Sequence, residues 1–228
     1  MLKYLTDIID LFFPKVCLAC HDALSDHELH LCTNCRHDLP VLNHPHDSEN
    51  EVKKIFYGRI PIKQATSLLV YEKKGLTQQL IHNLKYKNQE QVSYMLGSWL
   101  GAELKEHEAY RAIDMVIPVP LHKNKLKKRG YNQVAGFAKE LANELDAEYM
   151  DEILIKVTNT QSQVGKNRWA RWNNTEIFKL QNHEKIANKH LLLVDDVITT
   201  GATIEACFNV LTQAKNVKIS LASMAIAQ

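Results

Sequence analysis

No apolar run in this chain is long enough to cross a membrane, which excludes a helical membrane protein. The stretch Leu2–Phe13 has apolar residues at 2, 5, 8, 9 and 12 and reads as a short amphipathic helix. Asp7 and Asp10 interrupt it, so it is poorly built for a secretory signal, and a cytoplasmic protein is expected. Strong charge is also missing: 28 Lys and Arg against 26 Asp and Glu give a net charge of +2, too mild to imply nucleic-acid binding by itself. Internal repeats and low-complexity tracts are absent. What remains is an ordinary soluble composition, 45% hydrophobic and 24% charged. Its 228 residues leave room for one α/β domain and one small accessory module.

The most informative segment is Leu191-Leu192-Leu193-Val194-Asp195-Asp196-Val197-Ile198-Thr199-Thr200-Gly201-Ala202-Thr203. Four aliphatic residues in a row fit a strand buried on both faces, as in a parallel sheet covered by helices. Two carboxylates follow where that strand is expected to end, which is where open α/β sheets place ligands. A hydroxyl- and glycine-rich turn leads into a helix with Ile204, Cys207, Val210, Leu211 and Ala214 on one face. Backbone N–H groups at such a helix start, together with the helix dipole, form a seat for a phosphate. Gly201 and Ala202 let the backbone approach an anion, and Thr199, Thr200 and Thr203 add hydroxyl donors. Adjacent carboxylates beside a phosphate seat suit a ligand that also carries neighbouring hydroxyls or a divalent cation. A ribose 5-phosphate has that combination.

Four of the five cysteines lie near the start, as Cys17-x-x-Cys20 and Cys32-x-x-Cys35 separated by eleven residues. This approaches the spacing of zinc ribbons, where paired thiolates on tight turns close a tetrahedron. The segment from Pro14 to about Pro40 is too small for a useful core, so a metal would supply its folding free energy. Disulfides or a redox dithiol are the alternatives, although nothing indicates an oxidising compartment and two pairs argue against a redox motif. His21, His27, His30 and His37 crowd the same region and read as exposed or supporting groups. Cys207 reads as a small core residue.

Strands expected at 65–71, 114–119, 153–157 and 217–225 alternate with helical patterns, which makes a mostly parallel sheet flanked by helices the natural architecture. The division expected is residues 1–42 for the N-terminal helix and zinc module, 43–60 for a polar linker, and 61–228 for the α/β domain. Two basic stretches have two readings each. His122–Arg129, closed by Gly130, is either a solvated lysine-rich loop or a group of cations facing pyrophosphate and its Mg²⁺. Gln163–Asn174 brings Arg168 and Arg171 onto one helix face and Trp169 and Trp172 onto another pairing. That pattern suits either phosphate and base contacts or simple packing of tryptophans.

Taken together, these pieces resemble the ComF family of late-competence proteins. The resemblance is carried by the four cysteines, Leu84-Lys85-Tyr86-Lys87 and Ile117-Pro118-Val119-Pro120-Leu121. It continues through Lys128-Arg129-Gly130-Tyr131-Asn132-Gln133 and Thr160…Gln163…Arg171…Asn174 to Val194–Thr203. One departure is Lys166, where members of the family often carry leucine. The resemblance implies a type I phosphoribosyltransferase-like fold that binds phosphoribosyl pyrophosphate (PRPP) with Mg²⁺, a structural zinc module, and a link to DNA uptake. It implies that Asp195 and Asp196 hold the ribose and that Thr199–Thr203 hold its phosphate. Pro120, Leu121, Arg129, Asn132, Gln133, Lys85, Gln163, Arg171 and Asn174 then fall on the pyrophosphate and substrate side. Two functions stay open: a phosphoribosyl-transferring enzyme, or a PRPP-sensing or single-stranded-DNA-binding scaffold that works with DNA-uptake proteins. No membrane insertion is expected in either.

Overall fold

The computed structural model describes residues 14–43, 46, 49–157 and 177–227. Short helices α1 (Thr33–Asp38) and α2 (Glu51–Lys54) precede the first strand, β1 (Ala65–Tyr71). Then follow α3 (Leu76–Tyr86), α4 (Gln91–Leu104), α5 (Glu108–Arg111), β2 (Met115–Pro118), α6 (Lys123–Arg129) and α7 (Ala135–Glu144). The remainder is β3 (Glu148–Tyr149), β4 (Leu154–Lys156), β5 (Phe178–Leu180), β6 (His190–Ile198), α8 (Ala202–Leu211) and β7 (Lys218–Ala227). Five strands form one sheet in the order β1-β7-β6-β2-β3, with every neighbouring pair parallel. Antiparallel β4 and β5 stand apart as a two-stranded ribbon.

The aliphatic run of β6 is central because both its faces are covered. Leu192 and Val194 pack with α3, α4 and α7 on one side, and Leu191 and Leu193 pack with α2 and α8 on the other. Helices α4 and α7 approach closely at Gly97, where a Cβ would lie 2.7 Å from the Phe137 carbonyl oxygen. The chain leaves β2 for β3 on one side of the sheet and leaves β6 for β7 on the other. The crevice beyond the carboxyl ends of β2 and β6 is therefore the topological switch point, where open α/β sheets bind ligands.

Three adjacent strands share one irregularity. Along β6, alternation places Val194 and Asp196 on one face, yet Val197 lies on that same face and Ile198 on the other. The same one-residue slip occurs in β7, where Met224 and Ala225 face one cluster and Ile226 the other, and in β1 at Leu68 and Leu69. The three slips lie at one level of the sheet, since Ser67 and Asp195 both oppose Ser223. Side chains satisfy the backbone there: Ser67 Oγ donates to the Leu69 carbonyl (3.3 Å) and Ser223 Oγ to the Ala225 carbonyl (3.1 Å). The Asp195 and Asp196 carboxylates accept from the next backbone N–H, at 2.8 and 2.7 Å. A polar row inside the sheet is thus explained by the backbone groups that the slip would otherwise leave unpaired.

Three expectations change. The aspartates are not beyond the strand, because β6 stays paired with β7 as far as Ile198 and both carboxylates lie within it. The segment 43–60, expected as a polar linker, carries α2 and packs Val52, Phe56 and Ile60 into the core under the β6–α8 turn. Its polar composition hid three well-spaced apolar residues. The basic stretch 123–129 is a helix closed by left-handed Gly130, and is not a loop. Gln163, Lys166, Arg168, Trp169, Arg171, Trp172 and Asn174, together with the helix expected at Leu2–Phe13, lie outside the described residues.

Candidate functional site

Asp195 and Asp196 follow each other along an extended strand, so their side chains leave it on opposite sides. Asp196 turns toward α3 and α7. Its Oδ2 accepts from Lys85 Nζ at 2.7 Å and from Gln133 Nε2 at 2.9 Å. Asp195 turns the other way and borders a small cleft with Val197–Ile204. Among the described residues, no cation lies within ion-pair distance of it. Burial, and secondarily the charge of Asp196, push its carboxyl up to about 7. One carboxylate is ion-paired, and the other is buried with no ion pair among the described residues.

The turn after β6 provides the donors. Gly201 has φ +76° and begins α8 with no side-chain cap, so the first helical N–H groups face the cleft. A Cβ on Gly201 would come within 2.6 Å of the Phe56 ring, so only glycine fits. Thr199, Thr200, Ala202 and Thr203 are exposed around it. Arg59 clamps the turn, with Nη1 donating to the Thr200 carbonyl at 2.7 Å and Nη2 paired with Glu205. Phe56 and Arg59 escaped sequence reasoning because they lie far along the chain in a segment with no motif.

Each residue of Arg129-Gly130-Tyr131-Asn132-Gln133 has a distinct task. Arg129 donates to the side-chain amide oxygen (Oε1) of Gln133, and Gly130 caps α6. The Tyr131 hydroxyl donates to the Leu84 carbonyl, which fixes the end of α3 next to Lys85. Asn132 Nδ2 holds the Val119 carbonyl at 3.1 Å, beside Pro120 and Leu121, and Gln133 reaches Asp196. The five residues form a bracket that joins β2, α3 and β6 and orients one carboxylate. In front of it lies a cavity of about 250 Å³ lined by Lys85, Tyr86, Asn88, Lys125, Lys128 and Arg129.

The N-terminal cysteines converge as their spacing predicts. Their four sulfurs all lie within 4.8 Å of one another, and Cys20 and Cys32 are 3.7 Å apart. A tetrahedron of sulfurs bound at about 2.3 Å has edges of about 3.8 Å, so the donor set fits zinc. Cys17 Sγ accepts from the Cys32 N–H and Cys32 Sγ from the Cys35 N–H. Burial pushes the Cys35 thiol up, as do the neighbouring sulfurs; several adjacent thiolates therefore require a divalent cation. The five cysteines are free thiols, so neither disulfide pairing is present. The module docks on α3, with Asn83 Nδ2 donating to the Leu18 carbonyl at 3.0 Å and Gln79 to Ala19.

The phosphoribosyl transferase domain family matches residues 134–225, and the double zinc ribbon domain family matches residues 8–46. Competence protein F of Haemophilus influenzae is 30% identical over 131 residues, covering 55% of this chain and 57% of that protein. Competence protein ComFC of Streptococcus pneumoniae is 32% identical over 126 residues, covering 54% and 52%. DNA utilization protein YhgH of Escherichia coli O157:H7 is 28% identical over 129 residues, covering 55% and 56%. The chain is similar to the ComF-type competence proteins. It spans little more than half the length of the relatives it matches. Among solved structures, the glutamine PRPP amidotransferase of B. subtilis aligns with 61% of this chain and 30% of its own, at 18% identity and a TM-score of 0.43. The ComF resemblance is thus upheld, as are the phosphoribosyltransferase-like parallel sheet and the zinc ribbon. Among the described residues, no helix is long and apolar enough to cross a membrane.

Proposed function

We propose that the crevice binds PRPP, or a ribose 5-phosphate group, with Mg²⁺, and that this ligand chemistry serves the handling of incoming DNA. The observation that carries the reading is Asp195, a buried carboxylate with no cation within ion-pair distance among the described residues, beside an uncapped helix start at the topological switch point. The Thr199–Thr203 turn supplies backbone and hydroxyl donors for the 5-phosphate. Asp195, and Asp196 once Lys85 shares it, accept hydrogen bonds from the ribose hydroxyls. The Pro120–Leu121 turn and the cavity of Lys85, Lys125, Lys128 and Arg129 take the pyrophosphate. When bound, Mg²⁺ would neutralise part of the pyrophosphate charge. If transfer occurs, displacement at the anomeric carbon builds positive charge on the sugar, which the two carboxylates stabilise. The names of the relatives, competence and DNA utilization, support the link to DNA.

Calorimetry with PRPP and Mg²⁺ tests this reading. Asp195→Asn should weaken binding about tenfold to a hundredfold, the loss of charge-assisted hydrogen bonds of about 1.5–3 kcal/mol. Equal affinity in wild type and variant would remove Asp195 from the ribose site. Release of pyrophosphate that requires an acceptor would establish turnover; binding without release would leave a sensor.

One observation favours a second reading. Tyr86 is 69% exposed beside the four cations of the basic cavity, a combination on which a DNA base can stack while its phosphates are neutralised. Fluorescence anisotropy should then show salt-dependent binding of a single-stranded oligonucleotide, weakened in Tyr86→Ala. Unchanged binding in that variant would remove Tyr86 from the contact.

A further inference from the structure

Arg59 takes no part in the ligand contacts proposed above, yet its side chain joins three elements at the β6–α8 turn. Gly58, left-handed at φ +69°, bends the chain after Phe56, whose carbonyl accepts from the Arg59 and Ile60 N–H groups at 3.0 and 3.2 Å. Phe56 and Ile60 are buried, so the arginine between them is anchored on both sides. Its Nη1 donates to the Ile55 carbonyl at 3.3 Å and to the Thr200 carbonyl at 2.7 Å, and its Nη2 to Glu205 Oε2. One guanidinium thereby ties the turn to the start of α8.

Glu205 gives this contact its meaning. It lies in the first turn of α8, whose start is the proposed seat of the 5-phosphate. A carboxylate there suits the helix dipole, but it draws on the same positive potential that would hold a phosphate and repels a second anion. Unpaired, Glu205 would oppose the ligand; paired with Arg59, its charge is cancelled. The other arm of the guanidinium acts on geometry. The Thr200 carbonyl and the Gly201 N–H belong to one trans peptide and point in opposite directions, so holding the carbonyl turns that N–H away from Arg59. Arg59 and Glu205 are each 34% exposed, and an ion pair so open to water adds little to stability. The arrangement therefore bears on ligand affinity more than on the fold.

We infer that Arg59 is a positioning residue for the phosphate seat, neutralising Glu205 at the start of α8 and fixing the Thr200–Gly201 peptide without touching the ligand. The inference rests on the phosphoribosyl reading above and adds the segment before β1 to the parts of the chain that set affinity. Its action is electrostatic, which separates it from a simple tie between two elements: removing Arg59 harms binding chiefly by releasing the charge of Glu205.

The test is calorimetry with ribose 5-phosphate, and with PRPP and Mg²⁺, on wild type, Arg59→Ala, Glu205→Gln and the double variant, with a melting temperature for each. Arg59→Ala should bind both ligands about tenfold more weakly. Glu205→Gln, which keeps the arginine and its carbonyl contacts, should bind at least as tightly as wild type. In the Arg59→Ala background, Glu205→Gln should restore most of the lost affinity, a rescue that a merely structural tie does not allow. Undiminished affinity in Arg59→Ala would overturn this inference alone. So would equal losses in both single variants with no recovery in the double variant, which would mark the pair as structural. Should Arg59→Ala fail to fold, Glu205→Gln decides by itself, since weaker binding in that variant contradicts the charge argument. A wild type that binds neither ligand would overturn the inference together with the phosphoribosyl reading.

Discussion

Asp195 shows what burying a carboxyl costs at the scale of one residue. Its carboxyl has a folded pKa of about 7, far above the ordinary value of 3.8, because burial and Asp196 both oppose its charge. A carboxyl raised on folding binds protons more tightly in the native state, so its ionisation weakens the fold as pH rises. The penalty is absent below about pH 4, grows between about 4 and 7, and is complete above that. Asp195→Asn should therefore raise the melting temperature of the ligand-free protein by several degrees at neutral pH and by little near pH 4. The same variant should lose affinity for PRPP, as proposed above. Thermal melts at the two pH values check this, and a variant less stable than wild type at neutral pH would contradict it. Asp196 is unlike its neighbour, since Lys85 and Gln133 already satisfy it.

At the scale of elements, the β6–α8 turn depends on a segment nearly 150 residues earlier. Phe56 fills the space against Gly201, and Arg59 holds the Thr200 carbonyl and Glu205. Gly201→Ala meets two obstacles, a left-handed backbone and the Phe56 ring, and each costs about 1 kcal/mol or more. We expect a lowered melting temperature and at least tenfold weaker binding of ribose 5-phosphate. Wild-type affinity in that variant would show that the turn is not the phosphate seat. The aligned slip through β1, β7 and β6 makes a separate prediction. Ser223→Ala leaves the Ala225 carbonyl without its hydroxyl donor in a buried sheet. Destabilisation of about 1–3 kcal/mol follows, read as the free energy of urea unfolding, whereas an unchanged midpoint would mean the slip does not need its serines.

For the whole molecule, the zinc ribbon is part of the α/β body. Cys17, Leu18, Ala19, Leu31, Cys35 and Leu39 belong to the same apolar cluster as α3, α4 and α7. The Arg36 guanidinium lies 3.3 Å over the Trp99 ring of α4. The path from the four cysteines to the proposed ligand site is short, because α3 is gripped by the ribbon at Gln79 and Asn83 and carries Lys85 near its end. Purified protein should carry about one zinc per chain. Its removal by chelator should lower the melting temperature of the entire chain and change Trp99 fluorescence. Two separate calorimetric transitions, with the larger one unmoved by chelation, would show that the ribbon folds independently.

The sequence by itself determined whatever depends on short spacing. Paired cysteines, a four-residue aliphatic strand, the aspartate pair and the threonine–glycine turn are contiguous or nearly so, and local geometry makes each of them do much the same thing in any fold. The alternation of strands and helices gave the parallel sheet for the same reason. Tertiary structure alone decided which groups meet. Nothing near Phe56 or Arg59 in the sequence points to Gly201, and the one-residue slip is invisible because it arises from three strands lying side by side. The bracket at 129–133 was legible as a motif, but its orientation toward Asp196 was not. Charge pairing and burial are properties of position in space, and that position is set by packing elements that are distant in the chain.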